Sequence, residues 1–205
     1  MFKKLIDKTI ILKKITTTLN AILGIFKIIL AIISHSLLLF IYSFYNVSIS
    51  IAKRTSIREK QKYEYENFYF CGIIVLIASI SYILYSDYIY FNGSSSKYNV
   101  YVAIGIATLA FYNITMAIIG VVKAKKRKDI KNQTIKFTNL ASSFISMSLT
   151  QTAILSFTTE GDMSKYNAIG GIVFGVLSAI VGIYMIIYTI YIKSKKDKIL
   201  NVQDR

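Results

Sequence analysis

The feature that most constrains this chain is a set of long apolar runs almost free of charge. A helix needs roughly 20 apolar residues to cross a hydrocarbon core about 30 Å thick. Four runs reach that length: residues 68–91, 98–122, 137–158 and 166–192. The last three contain no charged residue, and the first is interrupted only by Asp87. In lipid every backbone polar group must be satisfied within the protein, so such runs read as helices. The expected fold is all-α: a polytopic transmembrane helix bundle, forming a single integral membrane domain over residues 1–205.

Composition agrees. Charged residues make up 17% of the chain, where soluble domains carry about a quarter. Pro and Trp are absent, while Ile, Lys, Asn, Tyr, Ser and Phe are abundant. Those residues have AT-rich codons, which points to a low-GC bacterial genome and a bacterial plasma membrane. The lone cysteine, Cys71, excludes an intramolecular disulfide and reads as a small buried apolar residue.

A further membrane region runs from 19 to 52, interrupted only by Lys27. As one helix it would be roughly 50 Å long, too long for an upright crossing. The triplet Ser34-His35-Ser36 is the natural break. Residues 1–16 read as a basic amphipathic segment. With four clear spans, this region makes five membrane helices the expected count.

The net charge is +15, which in a soluble protein would suggest nucleic acid. Here the cations lie between the apolar runs, so no nucleic-acid partner is expected. Lys and Arg number five in 53–67, one in 87–97, seven in 123–136, one in 160–165 and five in 193–205. The positive-inside rule then places the 53–67 and 123–136 loops and the C-terminal tail in the cytoplasm, against anionic lipid headgroups. Lys3, Lys4, Lys8, Lys13 and Lys14 also favour the cytoplasm. That conflicts with a single crossing over 19–52, so an interfacial helix, a hairpin and an outside N-terminus all stay open. Tyrosines near the run ends (Tyr82, Tyr85, Tyr88, Tyr90, Tyr98, Tyr101, Tyr184, Tyr188 and Tyr191) suit the headgroup level.

Helices in lipid associate through close backbone approach and interhelical hydrogen bonds. Gly171, Gly175, Ser178 and Gly182 are spaced four, three and four apart and form one small-residue stripe. The 137–158 run is the most polar. Asn139, Ser143, Ser146 and Thr150 share one face, with Gln151 beside it and Asn113 on the preceding run. Such a face avoids lipid, because each unpaired polar group costs a few kcal/mol in hydrocarbon. The run is therefore expected at the bundle centre, against the glycine stripe. Interhelical hydrogen bonds are the favoured reading of these six residues, and a polar pathway for a solute is the other.

Catalytic chemistry finds little to work with. The chain has one histidine, His35, and no carboxylate deep in a run. Neither a three- or four-ligand metal site, nor a nucleophile with its base, nor a phosphate-binding glycine loop can be assembled. No catalytic residue, cofactor or metal is expected.

Several segments together carry a resemblance: Tyr69-Phe70-Cys71-Gly72-Ile73, Ala110-Phe111-Tyr112-Asn113-Ile114-Thr115-Met116, Thr138-Asn139-Leu140-Ala141-Ser142-Ser143, Ser148-Leu149-Thr150-Gln151-Thr152, and Asn167-Ala168-Ile169-Gly170-Gly171. In this order the chain resembles an uncharacterised family of small multi-pass membrane proteins from low-GC Gram-positive bacteria (Firmicutes). The resemblance spans residues 34–192 and implies a membrane fold without assigning any activity. The functional expectation is a non-enzymatic accessory or scaffold subunit, acting through helix–helix contacts with another membrane protein or a second copy. The alternative is a small transporter or channel-like protein for a small solute or ion.

Overall fold

The computed structural model describes residues 47–52, 54, 64–93, 99–158 and 161–203. The basic segment 1–16, Lys27, His35 and most of the 19–52 region lie outside the described residues. Four long helices follow in chain order: α1 Glu64–Asn92, α2 Val100–Lys126, α3 Ile130–Thr158 and α4 Ser164–Gln203. The all-helical expectation therefore holds among the described residues.

Each helix has a local reason for its ends. Glu64 and Glu66 sit in the first turn of α1, where the helix dipole favours negative charge. The helix closes at Gly93, whose φ of 70° is cheap only for a residue without Cβ. Asn99 caps α2, its side chain accepting from the Tyr101 N–H at 3.0 Å. Lys123, Lys125 and Lys126 complement the other end of α2. Asp129 accepts from the Asn132 N–H and starts α3. Asp162 accepts from both the N–H and the hydroxyl of Ser164 and starts α4.

The helices overrun the apolar runs that foretell them. α3 begins at Ile130 rather than 137, and α4 continues through Gln203 rather than ending at 192. Charged residues at those ends do not break a helix, since Lys, Arg and Gln are good helix formers. Among the described residues, three helices are long and apolar enough to cross a bilayer: α1, α2 from Ala103, and α4 as far as Lys195. These helices do not by themselves establish a count of four or five spans.

Packing is led by α1 against α4, then α2 against α3, while α3 also touches α1 and α4. α3 is therefore the central helix, and α2 packs on α3 alone among the described helices. α1 and α4 run antiparallel. At one end Lys193 pairs with Glu66 at 3.7 Å; at the other, Gly93 lies beside Ser164 and Asp162. The core at the first end holds Phe68, Cys71, Val75, Phe137, Ala141, Ile145 and Met185. Residues 47–52 are helical and enter this core through Ile49 and Ala52. The Cys71 thiol, fully buried, donates to the Ala52 carbonyl at 3.2 Å.

Candidate functional site

The glycine stripe of α4 meets α1, not the polar helix. A Cβ on Gly182 would lie 2.9 Å from the Gly72 carbonyl oxygen and 3.0 Å from the Leu76 nitrogen. One on Gly175 would lie 2.6 Å from Ile83, and one on Gly171 would collide with the Ser86 hydroxyl. Ser178 shares a 2.7 Å hydrogen bond with Ser79. The expectation that α3 lies against this stripe is thus corrected. α3 approaches the stripe at Gly171, where the Ser148 hydroxyl lies 3.6 Å from a would-be Cβ. The reason is geometric: two small-residue faces allow the closest backbone approach, and α1 carries the matching face in Gly72, Ser79 and Ser86.

The polar residues of α3 divide by direction. Ser143, Ser146 and Thr150 donate to the carbonyls of Asn139, Ser142 and Ser146, one turn earlier on their own helix. They satisfy themselves, so these bonds link no helices. Gln151 does cross: its amide donates to the Tyr166 carbonyl of α4 at 2.9 Å, and its side chain lies directly over Gly170. Asn139 is half-buried. Asn113 is exposed on α2, whose backbone approaches neither α1 nor α4 among the described residues, so it stands apart from the others.

What gathers instead is a buried polar seam where α1, α3 and α4 meet. Tyr82 shares a 3.0 Å hydrogen bond with Ser148. Ser86 donates to the Tyr82 carbonyl. Ser79, Ser86, Ser148 and Ser178 are each at most 2% exposed. Toward the end of α4 that holds its first turn, Asn167 is 9% exposed and its Oδ1 has no hydrogen-bond partner among the described residues. A buried acceptor of this kind costs roughly 1–3 kcal/mol unless something donates to it.

Tyr82 and Tyr85 are buried among the helices, whereas Tyr88, Tyr101 and Tyr191 are exposed. Reasoning from sequence missed Gly72, Ser79, Tyr82, Ser86 and Asn167. The available signal was the seven-residue spacing of Gly72, Ser79 and Ser86, which keeps one helix face.

A second cluster lies at the opposite, basic end. Phe137 and Tyr184 stack with centroids 5.0 Å apart, Tyr184 and Tyr188 stack at 5.8 Å, and Phe68 meets Phe137 edge-on at 5.9 Å. Lys125 Nζ lies 4.6 Å from the Tyr184 centroid and 5.4 Å from that of Phe137. Lys136 lays its stem across Gly120 of α2, where a Cβ would meet its Cδ at 2.7 Å. Outside the spans, the Asp162 carboxyl is held below its ordinary value, first by the Ser164 hydroxyl and then by the Ser164 N–H. Comparison with protein families, curated proteins and solved structures finds no match to this chain.

Proposed function

We propose that this chain is a multi-pass protein of the bacterial plasma membrane that acts without catalysis, as an accessory or scaffold subunit. The carrying observation is α2. Only 17% of its apolar window is buried, against 44% for α1 and for α4. Phe111, Tyr112, Met116, Ile118 and Ile119 are all exposed on it. A helix so lightly packed has room for a second protein helix, from a partner or another copy. Photocrosslinking from Met116 in native membranes tests this. A discrete protein adduct, mapped by mass spectrometry, supports the proposal; adducts to lipid alone refute it.

The proposed orientation puts the Lys193–Glu66 end in the cytoplasm. Supporting it, Lys123, Lys125, Lys126, Arg127, Lys128, Lys193 and Lys195 are exposed toward that end, while Lys165 is the one cation described at the other. Cysteines placed at 126 and 162 in a Cys71→Ala background should label from the inside and the outside respectively. The reverse pattern refutes the orientation.

The second reading, a small transporter or channel-like protein, is favoured by the seam and the unpartnered Asn167 Oδ1. Reconstitution in liposomes with a panel of small solutes and ions tests it. Any flux must change in Gln151→Leu, and flux identical to that of the unmodified chain removes Gln151 from the mechanism.

A further inference from the structure

We propose that Lys125 and the rings beneath it form a discrete site for the headgroup of an anionic phospholipid. The proposal rests on the membrane reading above, in which this end faces an anionic leaflet, and it names the ligand there.

α2 and α4 make no backbone approach within 8 Å among the described residues. Lys125 nevertheless reaches from α2 to the Tyr184 ring of α4 and the Phe137 ring of α3. One ammonium thus joins three helices, over rings that are themselves stacked. A cation over a ring face is held by the ring quadrupole, and that hold occupies one side of the ammonium. An ammonium carries three N–H donors, so its side away from the rings is left for an anionic ligand. No carboxylate pairs with Lys125 among the described residues, since the ion pair there joins Lys193 to Glu66. Asp129, in the adjoining turn, accepts from the Asn132 N–H.

The surroundings select the charge of the ligand. Lys123, Lys126, Arg127 and Lys128 are exposed beside Lys125. A phosphodiester oxyanion answers these donors. A choline headgroup brings its own ammonium into the same cationic field and is disfavoured. Apolar side chains continue below the headgroup level on both flanking helices, with Ile118 and Val122 exposed on α2 and Val173 and Ile180 on α4. Acyl chains suit that lane, whereas a free phosphate ion gains nothing from it. The occupant is therefore a lipid.

The test is native mass spectrometry of the full-length chain in detergent, with added phosphatidylglycerol, phosphatidylcholine or inorganic phosphate. The unmodified chain should retain one phosphatidylglycerol more tightly than phosphatidylcholine. Lys125→Gln should weaken that binding about fivefold, the effect of one basic residue near an anionic surface. Lys195→Gln removes equal charge from an exposed position at the same end and should change it by less than about twofold. Lys125→Arg should restore binding. Equal effects of Lys125→Gln and Lys195→Gln would overturn the site while leaving the membrane reading intact. Displacement by equimolar inorganic phosphate would overturn the lipid assignment. Failure of the unmodified chain to retain any lipid would bring down the membrane reading itself. A photoreactive phosphatidylglycerol used on the unmodified chain gives a reading that needs no variant. Its adducts must map near 125 and 184, and adducts elsewhere refute the proposal.

Discussion

Adding one methyl group at Gly182 tests how α1 and α4 are held together. That methyl would lie 2.9 Å from the Gly72 carbonyl oxygen, 3.0 Å from the Leu76 nitrogen and 3.2 Å from the Leu76 Cβ. Ordinary contact begins near 3.4 Å, so the helices must part by about 0.5 Å at this level. The first two obstacles are backbone atoms, which cannot rotate away. Overpacking of this kind costs about 1–3 kcal/mol. Ala is also a better helix former than Gly by about 1 kcal/mol, which partly hides the strain in Gly182→Ala alone. Gly105 supplies the control, because a Cβ there meets nothing within 4 Å. Gly105→Ala keeps the propensity gain without the clash. The two variants should therefore differ by about 1–3 kcal/mol, with Gly182→Ala the less stable. Reversible unfolding of the full chain in mixed micelles of rising sodium dodecyl sulfate, followed by circular dichroism, measures the difference. Gly72→Ala should behave like Gly182→Ala, since its Cβ would meet Met185 Cβ at 2.9 Å and the Gly182 carbonyl at 3.0 Å. Equal midpoints for Gly182→Ala and Gly105→Ala would refute the close contact and the antiparallel register built on it.

Three further outcomes follow from other parts of the molecule. A double-mutant cycle on Ser79→Ala and Ser178→Ala should give a coupling of about 0.6 kcal/mol, the average for hydrogen bonds between membrane helices; zero coupling would mean the two hydroxyls do not meet. Lys128 adopts a left-handed φ of 53°, so Lys128→Gly should stabilise the α2–α3 turn by about 1 kcal/mol, and a lowered unfolding midpoint would contradict that backbone conformation. The Asp162 carboxyl is held low when folded, first by the Ser164 hydroxyl. Its contribution is therefore present above the ordinary aspartate value of 3.8 and is lost as pH falls through the lower folded value. Exchange protection at the start of α4 should drop across that acid range in the unmodified chain, whereas Asp162→Asn should show no such drop.

Much of the fold was legible because a bilayer imposes a simple rule on sequence. Residues 68–91, 98–122, 137–158 and 166–192 announce the four helices by length and near-absence of charge, with no knowledge of neighbours. The helix ends were less legible. The first turns of α3 and the basic end of α4 are helical yet polar, and apolarity reports the solvent rather than the backbone. The small-residue stripe at Gly171, Gly175, Ser178 and Gly182 was readable as a contact face. Its partner was not, because any helix with a matching face would serve, and spacing along one helix says nothing about which one arrives. Tertiary structure chose α1, through Gly72 and the Ser79–Ser178 bond. It also separated residues that look alike in sequence. Ser143, Ser146 and Thr150 turn their hydroxyls onto their own helix, while Gln151 and Ser148 reach across to neighbours. That difference depends on where a second backbone lies a few ångströms away. Sequence alone therefore determined the solvent each segment prefers, and only the packed helices decided which polar groups meet.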